Sequence, residues 1–253
     1  MPRANAAERR AKSVFIGFRG VAVAVTGSLL KRRRSALRDE VYSTILDMLL
    51  GGVFQPEESL SIDGLARDLD VSPTPVREAM VEMEHTGLVE RLARRGYRVA
   101  PPISTEQIRK LIDVRKLLEL QAVDWAYPHA AQLLPELRQA HAEHEVAWQN
   151  LEHEKGHLDL AHIRHYFDAD WNFHRVIIRY ANNSYLESAV DNLAFQAHRI
   201  RQTVGEGSSD GAQATAEHHA ILEAFASGTR EDALAAMEAH LNGVLRRSIS
   251  DAE

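Results

Sequence analysis

The sequence lacks cysteine entirely, and it also lacks a long uninterrupted hydrophobic run. The first absence excludes disulfide bonds, thiolate metal sites and cysteine nucleophiles, so any metal site must use His, Asp and Glu. Thirteen histidines supply material for such a site. The second absence weighs against a membrane span, because the apolar stretch Val14–Leu30 is short and is interrupted by Arg19.

The N-terminal segment, residues 1–35, is predicted to be a poorly ordered extension that mixes basic and apolar residues. Basic residues precede its apolar stretch and give it a faint likeness to a signal peptide, but glycine and serine residues weaken that stretch as a helix. A weak interfacial membrane anchor and an over-long start to the reading frame are the alternatives. We expect a cytoplasmic protein that works on the nucleoid and has no membrane partner.

The net charge of −6 conceals an uneven distribution of charge along the chain. Residues 1–35 carry nine Lys and Arg against one acidic residue, whereas residues 104–253 carry fourteen basic and twenty-three acidic residues. A nucleic-acid-binding protein this acidic must concentrate its basic residues locally. The sequences "KRRR" at 31–34 and "RLARRGYR" at 91–98 are such concentrations.

Residues 36–101 show helix, helix, turn, helix and hairpin, which is the order of a winged helix-turn-helix domain. Ser61 is the predicted cap of the second helix. For the third helix, the sequence predicts Thr74 as the cap, Pro75 as the first helical position and Gly87 as the end. The domain class therefore follows from the order of the elements.

The hairpin forms the predicted wing, with strands Leu88–Arg91 and Tyr97–Ala100 around a basic turn that contains Arg94 and Arg95. In this geometry the third helix enters the major groove with its N-terminus first, while the wing touches the DNA backbone or the minor groove. The residues that the third helix offers for DNA contact are Ser72, Thr74 and Arg77.

Arg77 has two interpretations. An arginine at this position can form a bidentate pair with guanine or bind a phosphate. Alternatively, it forms a salt bridge with a neighbouring acidic residue, such as Asp70 or Glu78. The flanking "SPTPV" sequence and the arginine-rich wing favour DNA contact.

Residues 104–250 contain no strand pattern and predict an all-helical bundle. Pro101-Pro102 break the last strand of the preceding domain, and Ser104 or Thr105 is the predicted cap of the first bundle helix. The predicted helices are roughly 104–127, 130–153, 157–181, 183–203, 212–227 and 229–249, with a loop at 205–211.

Polar side chains that can bind a metal lie on the apolar faces of three of these helices. Asp170 and His174 are four residues apart on one apolar face. His218 lies on the apolar face of the next such helix, whereas His219 points about 100° away. His240 lies on the apolar face of the last helix. A single point in the interior can therefore receive all four inward side chains.

Three neutral imidazoles and one carboxylate have few ways to satisfy one another in a dry core. A divalent cation satisfies all four, at metal–ligand distances of about 2.0–2.2 Å. Nitrogen-rich ligation with one carboxylate suits zinc or nickel better than magnesium or calcium. Each histidine taken alone has the alternative of being an ordinary, hydrogen-bonded core residue.

The motif "VSPTPVREAM…GLV…RRGYRV" closely resembles the winged-helix domain of GntR-type bacterial transcriptional regulators. The rest of the chain resembles the FCD-type helical effector domain of the FadR subfamily, in which "D-x3-H", "EH-x2-I" and "M-x2-HL" carry metal ligands. The corresponding sequences here contain Asp170 and His174, "EHHAI" and "MEAHL". The resemblance therefore assigns the same metal ligands: Asp170, His174, His218 and His240.

This resemblance implies a mainly α-helical protein, with an N-terminal winged helix-turn-helix domain over 36–101 and a metal- and effector-binding bundle over 104–250. It also implies a homodimer that binds a palindromic operator in double-stranded DNA. The bundle of such proteins holds a metal, often zinc or nickel, in a cavity that accepts small organic acids.

Further residues are assigned by the resemblance. Those that approach DNA in the family correspond to Arg38, Arg67, Arg77 and the wing-tip Gly96. Many relatives have arginine where this chain has Pro73, so one DNA contact is expected to be missing. Arg115 corresponds to an arginine near the effector cavity, with a surface salt bridge to Glu119 as the alternative. Independently of the resemblance, His198 is the one nearby candidate for a general base, and it is expected instead to hydrogen-bond the effector.

These inferences predict a DNA-binding transcriptional regulator, more often a repressor, that responds to a small carboxylate bound at a metal centre. They do not predict an enzyme. One rival is a metal-dependent, hydrolase-like enzyme, since the same ligands can activate water. The other is a regulator in which the metal is purely structural.

Overall fold

The structure is a computed structural model that describes residues 21–93, 96–153, 160–191, 193 and 211–250. The chain divides into two compact units, Met1–Leu37 and Arg38–Glu253, and the second unit holds every candidate site residue. The helices are α1 Val21–Leu50, α2 Ile62–Asp68, α3 Pro73–His85, α4 Thr105–Ala126, α5 Ala130–His153, α6 Leu160–Tyr180, α7 184–191, α8 Gly211–Ser227 and α9 Arg230–Ser250. The strands are β1 Ser59–Leu60, β2 Val89–Leu92 and β3 Gly96–Val99.

The predicted fold class is confirmed: the described residues are mainly α-helical, with one small antiparallel sheet. Helix α1 begins at Val21, within the segment 1–35 for which the sequence predicts a poorly ordered extension, and residues 1–20 lie outside the described residues. No proline interrupts residues 21–35, and Ala, Leu, Lys and Arg favour helix. None of the helices within the described ranges has the length and hydrophobicity that a membrane crossing requires.

The N-terminal part of the second unit is the predicted winged helix-turn-helix. Its core is formed by apolar residues of α1, α2, α3 and the sheet, among them Ile45, Leu65, Val76, Met80, Met83, Leu88 and Tyr97. Ser61 caps α2 as predicted, since its hydroxyl accepts from the amide of Gly64. The predicted start of α3 is wrong by two residues: Ser72 is the N-cap, and Pro73, not Pro75, is the first helical residue.

The sheet contains one more strand than the hairpin that the sequence predicts. Its order is β1-β3-β2, with both pairs antiparallel. β1 has only two residues, too few to show an alternating pattern. Gly96 opens β3 with a φ of 90°, and a Cβ there would lie 2.9 Å from the carbonyl oxygen of Leu60. Glycine is therefore required where the wing passes β1.

The described residues between 104 and 250 form the predicted helical bundle. Ser104 caps α4 in a capping box with Gln107, as one of the two predicted alternatives. The helices α4, α5, α6, α8 and α9 pack on one another around an apolar core that includes Ile112, Val123, Leu137, Phe173, Ile177, Ile221, Phe225, Met237 and Leu241. Arg94, Arg95, His198 and most of the predicted loop at 205–211 lie outside the described residues.

Candidate metal centre

The four residues proposed as metal ligands are all buried, as their helical spacing predicts. Asp170 and His174 on α6 are 6% and 1% exposed. His218 on α8 is 0% exposed and His240 on α9 is 2% exposed. The neighbouring His219 is exposed, which agrees with its predicted direction away from the core.

The three helices bring the imidazole rings together. The Nε2 atoms of His174 and His218 lie 3.2 Å apart, and the ring of His240 lies 4.7 Å from that of His218 and 5.1 Å from that of His174, centroid to centroid. One nitrogen from each of the three rings lies within 4.8 Å of the other two. Asp170 approaches this cluster of rings at His218: Asp170 Oδ1 lies 3.8 Å from His218 Nε2.

The outer nitrogen of His174 faces a buried ion pair on α4. Glu119 Oε2 lies 2.7 Å from His174 Nδ1, and Glu119 Oε1 accepts from Arg115 Nε at 2.6 Å. Arg115 also lies over the ring of Trp171, 5.4 Å from its centroid. The alternative pairing of Arg115 with Glu119 is therefore present, but it is buried in the bundle, not on the surface as expected.

His240 has an equivalent arrangement on the other side of the cluster. Glu217 Oε2 accepts from His240 Nδ1 at 2.9 Å, and Arg247 donates to both oxygens of the Glu217 carboxylate, at 2.7 and 2.9 Å. The Glu217 carboxylate thus accepts from His240 Nδ1–H, the Glu119 carboxylate lies close to His174 Nδ1, and each carboxylate is held by an arginine. With Nδ1 protonated, the neutral rings of His174 and His240 turn their Nε2 lone pairs away from these carboxylates.

Burial and neighbouring charges set the protonation of this cluster. Burial lowers the pKa of His218 well below its usual range, and His240 and His174 lower it further. Burial also lowers the pKa of His240, although Glu217 opposes the shift. Burial alone would raise the pKa of Glu119, but Arg115 and His174 outweigh it and hold that pKa well below its usual range. His218 and His240 are therefore neutral near pH 7 and cannot supply positive charge to the centre.

Glu217 shows the same balance at the edge of the bundle. Burial alone would raise its pKa, but the hydrogen bonds from His240 and Arg247 lower the pKa to about 2. The carboxylate is therefore ionised at neutral pH and can only accept hydrogen bonds. It fixes the proton of His240 on Nδ1, which leaves Nε2 as a lone-pair donor.

The donor set fits a divalent transition metal. Two ligands that share an ion at about 2.0–2.1 Å lie roughly 3 Å apart, which matches the His174–His218 nitrogen distance of 3.2 Å. Neutral imidazole nitrogens with one carboxylate suit zinc, nickel or a similar ion. A cation at this point would also satisfy the converging lone pairs and the charge of Asp170.

Sequence reasoning missed three residues that surround these ligands: Glu119, Glu217 and His144. His144 on α5 is 0% exposed, and its Nδ1 lies 3.0 Å from His218 Nδ1. Glu119 and His144 lie on the apolar faces of α4 and α5, so helical periodicity could have found both. Glu217 is only half-buried, and no sequence signal connects it with His240.

Gly243 on α9 leaves the space that Glu217 occupies. A Cβ at Gly243 would overlap the Glu217 carboxylate. Alanine usually stabilises a helix interior by about 1 kcal/mol over glycine. Here, we expect Gly243→Ala to displace Glu217, to free His240 Nδ1 and to weaken metal binding by about tenfold or more. Metal titration of this variant tests the prediction, with Asn242→Ala as the control; unchanged metal affinity in Gly243→Ala would contradict it.

The residues predicted to contact DNA lie in or beside the helix-turn-helix. Arg67, Ser72, Thr74 and Arg77 are all exposed. Within the part of the chain that the structure describes, no ion pair joins Arg77 to Asp70 or Glu78, so neither predicted alternative pairing is present.

Arg38 lies close to this surface but has acidic neighbours. It pairs with Asp39 at 2.5 Å and approaches Glu82 at 3.8 Å. Arg38 and Arg77 line the same surface depression, together with Glu78 and Val81. Arg38 would have to exchange these carboxylates for phosphate on binding DNA.

A winged helix-turn-helix with exposed arginines, followed by a helical bundle, defines a DNA-binding transcriptional regulator. Residues 37–99 match the bacterial regulatory proteins of the gntR family, and residues 110–243 match the FCD domain. The chain belongs to the GntR family of bacterial transcriptional regulators and carries an FCD domain. It is a regulator and not an enzyme, which removes the hydrolase-like rival.

Relatives and solved structures agree with this assignment. The chain is 26% identical over 204 residues to the uncharacterized HTH-type transcriptional regulator YdhC of Bacillus subtilis, covering 80% of this chain and 87% of YdhC. It is 23% identical over 208 residues to the HTH-type transcriptional repressor RspR of Escherichia coli, covering 82% of this chain and 87% of RspR. The solved structure of E. coli McbR/YncC has the same fold, with a TM-score of 0.67 and 19% identity. The match covers 86% of this chain and 99% of the McbR/YncC chain.

Proposed function

We propose that this protein is a metal-dependent, effector-controlled regulator that acts as a repressor. In this proposal Asp170, His174, His218 and His240 hold a divalent transition metal, zinc or nickel. A small organic acid binds at this centre and changes the affinity of the winged helix-turn-helix domain for a palindromic operator. The working form is a homodimer in the cytoplasm.

The observation that carries the proposal is the orientation of the histidines. The Nδ1 atoms of His174 and His240 face Glu119 and Glu217, each at hydrogen-bonding distance. Their Nε2 lone pairs are therefore available on the inner side, where His218 Nε2 and Asp170 Oδ1 also lie. An ordinary core would not collect lone pairs and a carboxylate without a cation to satisfy them.

Arg115 is the proposed recognition residue for the effector. Its Nε is engaged by Glu119, and its stacking over Trp171 fixes the plane of the guanidinium. An arginine held in this way presents further N–H groups in a rigid fork that matches a carboxylate. When bound, the metal supplies open coordination positions for the same carboxylate. His198 is the second proposed effector contact.

Helix α6 is the proposed connection to the DNA-binding domain. It carries Asp170 and His174, and Arg164, six residues before Asp170, donates to the Ser43 hydroxyl and, at 3.1 Å, to Asp47 on α1. A cluster around Tyr166 and Phe167 packs near the end of α1. An effector changes DNA affinity only by its differential affinity for two arrangements of the protein, and a shift of α6 would distinguish them.

Dimerisation is proposed from the exposed face of α4. The side chains of Val114, Leu117 and Trp125 are all exposed there, and Leu117 is the most exposed of the three, at 74%. Large apolar side chains exposed together mark an interaction surface. Two-fold symmetry in the protein then predicts two-fold symmetry in the operator, with the proposed contacts Arg38, Arg67, Ser72, Thr74, Arg77, Arg94, Arg95 and Gly96 repeated in each half-site.

The test combines metal analysis with operator titration. The protein as purified is analysed for metal, then a fluorescent operator duplex is titrated at fixed salt with the metal-loaded and chelated protein, each with and without a panel of small carboxylic acids. We expect one metal per chain, two chains per duplex, and an acid that changes operator affinity only when metal is present. Absence of metal binding, or no response to any metal-binding acid, would contradict the proposal.

The same experiment separates the remaining rival, in which the metal is purely structural. In that case chelation unfolds the bundle and operator affinity shows no dependence on acids. A regulatory site predicts instead that the chelated protein remains folded, since the apolar core of the bundle is extensive. Circular dichroism of the chelated protein distinguishes the two outcomes.

A further inference from the structure

His144 on α5 contacts the proposed centre without belonging to the assigned ligands. It is fully buried, and its Nδ1 lies 3.0 Å from the Nδ1 of His218. Its Nε2 lies 3.6 Å from Asp170 Oδ1. His144 is therefore close to two of the four proposed ligands.

Only one arrangement of protons is compatible with metal binding by His218. Its Nε2 faces His174 Nε2 and Asp170, so Nε2 is the nitrogen that would bind the ion and its proton must be on Nδ1. That N–H then donates to His144 Nδ1, which must be an acceptor. His144 in turn carries its proton on Nε2, which faces the carboxylate of Asp170.

The ring plane of His218 is fixed independently. Phe173 stacks on it with centroids 4.1 Å apart and planes 9° from parallel. Stacking fixes the plane but does not distinguish Nδ1 from Nε2, since both lie in the ring. The contact with His144 supplies this distinction.

We infer that His144 is a positioning residue, which accepts a hydrogen bond from His218 Nδ1 and so directs the Nε2 lone pair of His218 to the metal. The inference rests on the proposed function. It completes a pattern, because each of the three histidine ligands then has its own outer acceptor: Glu119 for His174, Glu217 for His240 and His144 for His218. Such outer partners commonly contribute tenfold to a hundredfold to metal affinity.

Direct ligation by His144 is the competing geometry. One donor atom each from His144, Asp170 and His218 lies within 4.8 Å of the others, so these residues form a second possible triad. However, Asp170 Oδ1 approaches His218 at Nε2, the same atom that faces His174. A neutral imidazole has a single lone pair, so His218 can bind an ion in only one of the two triads. The triad with His174 and His240 already has its outer acceptors in position.

The test compares substitutions at His144 that keep or remove the acceptor. In His144→Asn, the amide oxygen can occupy the position of His144 Nδ1. In His144→Gln, the longer side chain carries the amide oxygen past that position. His144→Leu has no acceptor. Zinc affinity of the full-length protein is measured by competition with a chromophoric chelator. His141→Leu is the control, because His141 is buried one turn earlier on α5 and contacts the Thr215 carbonyl oxygen instead.

We expect His144→Gln and His144→Leu to bind zinc about tenfold to a hundredfold more weakly, and His144→Asn and His141→Leu to bind it nearly as tightly as wild type. The visible spectrum of bound Co²⁺ should be unchanged in His144→Asn, since the ligands are the same. Wild-type affinity in the Gln variant, weak binding in the Asn variant, or a changed Co²⁺ spectrum would overturn the inference. Failure of the wild-type protein to bind any metal would instead refute the proposed function.

Discussion

His218→Leu is expected to abolish tight metal binding while the metal-free protein remains folded. Sites of this kind have apparent binding free energies of about 10–16 kcal/mol, so the loss of one ligand in four should cost roughly 3–4 kcal/mol, or two to three powers of ten in affinity. Leucine suits the buried position against Phe173. Removing the hydrogen-bonding nitrogens of His218 from the buried site should cost about 1–3 kcal/mol, which the extensive apolar core of the bundle can absorb.

Thermal unfolding shows the effect most directly. A ligand that binds only the native state at about 1,000 times its Kd stabilises the protein by about 4 kcal/mol. For a chain of this size each kcal/mol raises Tm by about 2–4 °C, so added metal should raise the wild-type Tm by about 8–16 °C. If the affinity falls by two to three powers of ten, the same metal concentration is only about 1–10 times the Kd of the His218→Leu protein, so its Tm should rise by only about 1–6 °C.

His219→Leu is the matched control, because the two substitutions are adjacent in the chain and chemically identical. His219 is exposed, whereas His218 is fully buried. We expect His219→Leu to keep the wild-type response to metal. Equal responses in the two variants would contradict the assignment of His218 as a ligand, and loss of the response in His219→Leu alone would reverse it.

The inward direction of the metal-site residues was accessible from the sequence because helical periodicity is local. The spacing of Asp170 and His174 on α6, and the separation of His218 from His219 on α8, needed only the geometry of one helix. Their burial confirms this reasoning. The same periodicity could have shown that Glu119 on α4 is buried, but beside Arg115 its predicted role is the partner in a surface salt bridge.

Contacts between helices were not accessible in the same way. The hydrogen bond from His240 to Glu217 joins α9 to α8, and the contact between His218 and His144 joins α8 to α5, 74 positions away in the chain. Such pairs depend on the relative rotation and translation of whole helices, which packing of the core determines. The third strand β1 was missed for a similar reason, since its two residues form a strand only by pairing with β3.

Arg77→Ala is expected to remove most of the specific affinity for the operator without changing the fold. Arg77 is exposed near the start of α3 and has no ion pair with Asp70 or Glu78 within the described residues, so its guanidinium is available for DNA. A bidentate arginine–guanine contact contributes about 1–3 kcal/mol. A dimer makes the contact twice, so the loss should be about 2–6 kcal/mol per operator.

The measurement is fluorescence anisotropy with the operator and a scrambled duplex over a range of salt concentrations. If Arg77 reads a base, the variant loses discrimination between the two duplexes; if it binds only phosphate, both affinities fall together and the salt dependence becomes shallower. Arg138→Ala is the control, because it removes the same charge from an exposed position on α5. Equal operator affinity in the Arg77→Ala and Arg138→Ala proteins would contradict the placement of the N-terminus of α3 in the major groove. That placement predicts a large loss from Arg77→Ala and only a small one from Arg138→Ala.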